Sequence, residues 1–191
     1  ADYQSTIDKY NNPEKKLGDD YYYEGMKVGE IWGYETEGFF TSQADIDSHA
    51  KQPYFYAGAT AGQWLPGDIK FKDLNGDGVI DYGNNTVDNP GDQIIGNSEP
   101  RFIYGINLSG DWNNFFVSAF FQGVGKQDWW PGSEASYFWG MYNRPYNDMP
   151  KSHLGNIWTE ENPNTYFPRL RGYSSEEPYA ELNLKQTRYL Q

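Results

Sequence analysis

The stretch from Arg101 to Gly123 alternates so strictly that few folds can hold it. In RFIYGINLSG, Phe102, Tyr104, Ile106 and Leu108 fall on one face, while Arg101, Ile103, Gly105, Asn107 and Ser109 fall on the other, because successive side chains of a strand point to opposite sides. After the turn GDWNN, the stretch FFVSAFFQG places Phe115, Val117, Ala119 and Phe121 together and sets Phe116, Ser118, Phe120 and Gln122 opposite them. The pattern predicts an antiparallel hairpin with strands over 101–109 and 115–123. A wholly apolar face, a mixed second face and aromatics near the strand ends also describe a membrane-barrel hairpin. In a soluble sandwich the mixed face is the solvated one and the apolar face packs on a second sheet. Periodicity leaves both solutions open.

Composition narrows the field. Aromatics make up 18% of the 191 residues, with 17 Tyr, 11 Phe and 7 Trp, and Gly and Pro number 21 and 11. Aromatic chains rich in turn formers are β proteins, whose rings pack on pleated faces. There is no cysteine, which excludes disulfides, thiolate metal sites and a thiol nucleophile. The formal charge of −12 argues against nucleic acid and anionic membrane surfaces as partners. No apolar run is long enough for a transmembrane helix, a test that does not reach β-barrels.

Along the chain, residues 1–24 read as a polar N-terminal loop and KVGEIWGYETEGFF, residues 27–40, as a strand that bends near Gly33. Thr41 or Ser42 can cap a short helix with Asp45 in its first turn. Residues 67–73 form a short strand. The segments 41–68 and 124–181 read as long loops, the second far longer than a compact domain ordinarily tolerates. The tail NLKQTRYLQ reads as the beginning of a further strand, with the expectation that the chain is a fragment of a longer one.

Two constellations carry chemistry. In DLNGDGVID, residues 73–81, the spacing matches the first three quarters of a calcium loop: side-chain oxygens from Asp73, Asn75 and Asp77, the Val79 carbonyl, Asp81 at the ninth position and Gly78 at the turn. The twelfth position is Asn84 rather than a bidentate Glu, and Asp88 or Asp92 can fold back in its place. The flanks are strand-like, which removes a helix-opening switch. A structural calcium ion is one reading; a turn whose Asp and Asn side chains cap backbone amides is the other. The second constellation spans residues 128–146. There Trp129, Trp130, Tyr137, Trp139 and Tyr142 can offer flat faces to sugar rings, with Arg144 as a directional partner. A self-packed loop core and an interfacial aromatic belt are the competing readings.

No catalytic arrangement is visible. His49 and His153 lie in polar contexts without a nucleophile nearby and read as surface residues. Glu160–Glu161 and Glu176–Glu177 are adjacent pairs, which strand geometry points apart.

In order and spacing, VGEIWGYETEGFFTSQADI, PGDIKFKDLNGDGVID, DQIIGNSEPRFIYGINLSGDWNNFFVSAFFQGV, WTEENPNTYFPRL and TRYLQ resemble the SusC/RagA family of TonB-dependent outer-membrane transporters, over roughly residues 25–191. The resemblance implies an all-β fold: antiparallel strands from the later part of a transmembrane β-barrel, with long extracellular loops and one short helix. It implies import of glycans or peptides, no enzymatic activity and location in the bacterial outer membrane. The partners it implies are a SusD-like surface lipoprotein, TonB through a segment outside this chain, and outer-membrane lipid. The lipoprotein adds a further reading for the aromatic constellation. The chain departs from the family in carrying YGNNTVDNPGD between Asp81 and Gln93. The rival reading is a secreted, calcium-stabilised β domain that binds carbohydrate.

Overall fold

Among the described residues, three antiparallel strand pairs make up a packed body and a bare hairpin. The computed structural model describes residues 8–18, 21–52, 64–132, 135–142, 146–170 and 185–190. Strand β1 (Glu30–Tyr34) pairs with β4 (Gln93–Asn97), β2 (Thr36–Phe39) with β3 (Ile69–Phe71), and β5 (Ile103–Trp112) with β6 (Phe115–Val124). The helices are short: α1 (Gln43–Ser48), α2 (Ser136–Trp139) and 3₁₀ turns at Gly140–Tyr142 and Lys151–His153. The fold is all-β, and the described strands do not close into a barrel. None of the described helices is long and apolar enough to cross a membrane.

The stretch 27–40, expected as one strand bending near Gly33, is two strands divided at Glu35. The reason is a change of partner. Tyr34 donates its N–H to the Lys185 carbonyl at 2.8 Å and accepts from Thr187 N–H at 2.9 Å. The strand then leaves β4 and continues against β3, with an irregular register between Thr36 and Gly38. β4 itself falls in DQIIGN, a stretch that carried no strand expectation of its own.

Helix α1 begins where its capping chemistry dictates. The Ser42 hydroxyl accepts the Asp45 N–H at 3.2 Å, satisfying one of the unpaired donors of the first turn. The Asp45 carboxylate accepts the Thr41 N–H at 3.0 Å and meets Lys70 of β3 at 2.9 Å. The Thr41 amide first, and Lys70 after it, hold this carboxyl below its ordinary range.

The hairpin extends further than alternation suggested. β5 runs through Gly110, Asp111 and Trp112, and the turn is only Asn113–Asn114, with φ of 50° and 68°. Two positive φ values make a turn whose twist matches the flanking strands, and Asn tolerates that region better than most residues. In register, Ile106 faces Phe121, Leu108 faces Ala119 and Trp112 faces Phe115, so both apolar sets share one side. A Cβ at Gly123 would run into the Tyr104 ring lying across from it, so a larger residue there would require that ring to move. Phe102, Leu108, Phe116 and Phe120 are exposed, as are most of the large side chains on both faces.

The body buries its aromatics instead. Tyr34, Ile69, Phe71, Ile80, Trp139, Tyr142, Phe167 and Tyr189 form one core. The long segment after β6 supplies much of it: Tyr142 stacks on Phe167 at 5.5 Å, and Tyr189 meets Trp139 edge-on at 5.1 Å. The tail, expected as a strand, bridges Tyr34 at Gln186 and then turns, with Tyr189 and Leu190 N–H groups both donating to the Gln186 carbonyl. The turn delivers the Tyr189 ring to the core. His153, expected at the surface, is buried beside Phe167, with ring centroids 4.1 Å apart. His49 is half-buried against Phe40.

Candidate functional site

The acidic loop is built from backbone amides and carboxylates. Asp73 accepts the N–H groups of Gly76 at 2.6 Å and Gly78 at 2.9 Å. Asn75 accepts from Asp77, Asp77 from Val79 and Asp81 from Gly83, at 2.8, 2.8 and 2.7 Å. Each is a side chain capping an amide two to five positions ahead. Val79 lies beside Lys51, whose N–H donates to Gly78 and whose carbonyl accepts from Ile80, and Ile80 is buried in the core. The loop is therefore clipped to the body at its sixth and eighth positions, on either side of Val79.

Asp92 closes it. This fully buried residue accepts Leu74 N–H at 2.8 Å with one carboxylate oxygen and Asp81 N–H at 2.9 Å with the other. The eleven-residue insert YGNNTVDNPGD thus returns to the loop it departs from, and its far end supplies the shared acceptor. Asp88 takes no such position among these bonds. Among the described residues, no group of three His, Cys, Asp or Glu side chains is placed to hold a metal ion.

The aromatic constellation separates into two populations. Trp139 and Tyr142 are each 1% exposed; the indole N–H of Trp139 donates to the Gly132 carbonyl and the Tyr142 hydroxyl to the Pro168 carbonyl, both at 2.6 Å. Trp130 packs on them half-buried, its ring 5.6 Å from that of Trp139. Trp129 and Tyr137 point outward, 53% and 98% exposed, as does Tyr146. Arg144 lies outside the described residues. Among the described residues of this stretch, Trp129, Tyr137 and Tyr146 expose their rings, while Trp139 and Tyr142 belong to the core.

A buried ion pair fixes the two long loops to each other. Arg169 meets the fully buried Asp68 through Nε at 2.6 Å and a terminal nitrogen at 3.3 Å, while Asp68 also accepts the Leu65 N–H at 2.8 Å. Nearby, burial pushes the His153 imidazole below its ordinary value, partly opposed by its hydrogen bond to the Phe138 backbone. Burial and the Glu30 carboxylate push the Tyr23 hydroxyl up to about 12.

Sequence reasoning missed the Asp68–Arg169 pair, which spans 101 positions and has no local signature. It also missed a cleft of about 520 Å³ where the hairpin joins the body, lined by Lys27, Glu30, Glu99, Arg101, Lys126 and Asp128 among others. These residues come from three separate stretches and meet only after β1, β4 and the hairpin are in place.

No family model matches the chain. Over 154 residues it is 29% identical to TonB-dependent receptor P26 of Formosa agariphila, an alignment covering 78% of this chain. The chain is similar to a TonB-dependent receptor. It spans 13% of that relative's length.

Proposed function

We propose that this chain forms a late part of the barrel and mouth of a SusC/RagA-type outer-membrane transporter that imports glycans or peptides. The observation that carries the reading is the hairpin. Its face of Tyr104, Ile106, Leu108, Trp112, Phe115, Val117 and Phe121 is exposed and covered by no second sheet among the described residues. An aqueous β domain cannot leave such an area bare, whereas lipid covers it without further protein. From Tyr104 to Trp112 the strand spans about 27 Å at ~3.4 Å per residue, close to the apolar band of an outer-membrane barrel once tilted. The aromatic pair at each end, Tyr104 with Phe102 and Trp112 with Phe115, corresponds to the two interfacial girdles.

The two-residue turn then faces the periplasm and the body faces outward, since short turns and long loops occupy opposite ends of such barrels. Trp129, Tyr137 and Tyr146 become candidate contacts for substrate or for a SusD-like lipoprotein. The carbohydrate-binding module is disfavoured by the same bare face. A calcium ion, if bound at Asp73, Asn75, Asp77, the Val79 carbonyl and Asp81, would act as a staple on an extracellular loop.

Membrane fractionation of cells producing the full-length protein tests the proposal. We expect recovery in the outer membrane, detergent-dependent solubility and a folded form whose gel mobility shifts on boiling. Recovery as a freely soluble protein that unfolds cooperatively without detergent overturns it.

A further inference from the structure

We infer that the cleft between hairpin and body is an anion subsite of the mouth, which takes the carboxylate or sulfate of an acidic oligosaccharide; the inference rests on the transporter reading above. Three cations line it: Lys27, Arg101 and Lys126. In a chain of net charge −12, cations normally find carboxylates, and Lys16, Lys70, Lys72 and Arg169 do so. Among the described residues, none of the three cleft cations has an ion-pair partner.

The cleft holds three carboxylates as well, and two of them turn their oxygens to neutral donors rather than to these cations. Glu30 takes the Tyr23 hydroxyl and the Lys27 backbone N–H, and Asp128 accepts the Asn97 N–H at 2.9 Å. Glu99 lines the cleft but lies beyond ion-pair distance of the cations. The site therefore presents solvated cations without carboxylate partners around a volume that accommodates a sugar residue, and an oxyanion is the ligand chemistry they complete.

Register decides which side of the wall this cleft occupies. The Arg101 N–H donates to the Lys126 carbonyl at 2.9 Å, continuing the ladder two residues beyond the Ile103–Val124 pair. Arg101 and Lys126 therefore share parity with Asn107, Ser118 and Gln122, the polar face, and not with Leu108 and Phe121. That face lines the barrel interior, so the anion arrives from the substrate path. The Arg101 guanidinium, 5.5 Å from the Phe102 ring centroid, stands at the upper edge of the apolar band. Trp129 follows the lining residue Asp128 directly and is exposed, outside the cleft itself but one position from it, where a sugar ring reaching out of the cleft can stack. Stacking plus oxyanion pairing favours an acidic saccharide over an acidic peptide.

The test uses the full-length protein in detergent, a fluorescent oligogalacturonate and a neutral galacto-oligosaccharide of equal length. We expect the acidic probe to bind with an affinity that falls as salt rises. The Arg101→Gln/Lys126→Gln variant should weaken it at least tenfold and leave the neutral probe unchanged. Equal binding of the acidic probe by variant and wild type overturns the subsite, as does an equal loss for both probes. Phosphatidylglycerol vesicles that bind through these residues while oligogalacturonate does not would assign the site to lipid headgroups and overturn it as well. Boiling-dependent gel mobility is measured in parallel: a protein that inserts yet fails the probe comparison loses only the subsite, and one that does not insert loses the transporter reading and the subsite with it.

Discussion

The Asp92 carboxylate accepts the backbone N–H of Asp81 at 2.9 Å, and its second oxygen accepts that of Leu74 at 2.8 Å. One buried side chain thereby ties both ends of the acidic loop, which otherwise rests on capping bonds between near neighbours and on the backbone bonds to Lys51. Removing it leaves amide donors without acceptors in a partly buried environment. Asp92→Ala should cost about 2–4 kcal/mol, since bonds to a charged acceptor and the unsatisfied donors left behind both count. Thermal unfolding in detergent, read by tryptophan fluorescence, measures the loss.

The calcium question has its own measurement. Because amides and Asp92 already shape the loop, chelation should leave its unfolding temperature within about a degree of the calcium-loaded value, where even 1 kcal/mol of linkage would move a small domain by several degrees. A calcium-dependent rise that Asp77→Ala abolishes would instead establish the ion as part of the fold.

The hairpin faces predict an asymmetry between adjacent residues. Leu108→Arg places a charge on the apolar side near the middle of β5 and should reduce folded, membrane-inserted protein by an amount equivalent to about 2–4 kcal/mol. Asn107→Arg, one position away on the polar side, should insert normally. Folded fractions after refolding into vesicles, read from boiling-dependent mobility, provide the comparison. Equal tolerance of both arginines would mean that neither face meets lipid.

Asp68 and Arg169 join the two long loops across 101 positions. Breaking a buried pair from one side strands the remaining charge, so Asp68→Ala and Arg169→Ala should each cost about 3–5 kcal/mol. The double variant should cost less than the sum of the two, because it leaves no buried charge uncompensated. Limited proteolysis should cut the 41–68 segment faster in each single variant.

His153 predicts a pH dependence. Burial lowers its folded-state pKa below the unfolded value of about 6.5. The unfolded chain then binds the proton more readily, so this contribution is present above about pH 6.5 and is lost as pH falls through the folded pKa. His153→Gln should flatten the decline of stability below neutrality, and parallel slopes for variant and wild type would remove His153 as its source.

Legibility followed sequence distance. Alternation placed Leu108 and Phe121 on apolar faces because period two is set by each strand's own backbone, and the Ser42 cap lies three residues from the amide it binds. The division of 27–40 was not legible, since it depends on Lys185 and Thr187 pairing with Tyr34 from the other end of the chain. The aromatic constellation was visible as residue types, but sorting Trp129 and Tyr137 outward from Trp139 and Tyr142 inward required Phe167 and Tyr189 to fill the core between them.

By itself, then, the sequence determined an all-β chain, a hairpin with one apolar face and an acidic turn, because alternation, turn chemistry and capping act within a few residues. Only the tertiary structure decided that no described part of the body covers this face, that Asp92 closes the acidic loop, and that Lys27, Arg101 and Lys126 converge on one cleft. Those outcomes depend on contacts between distant segments, and such contacts leave no periodic or local trace in the residues that make them.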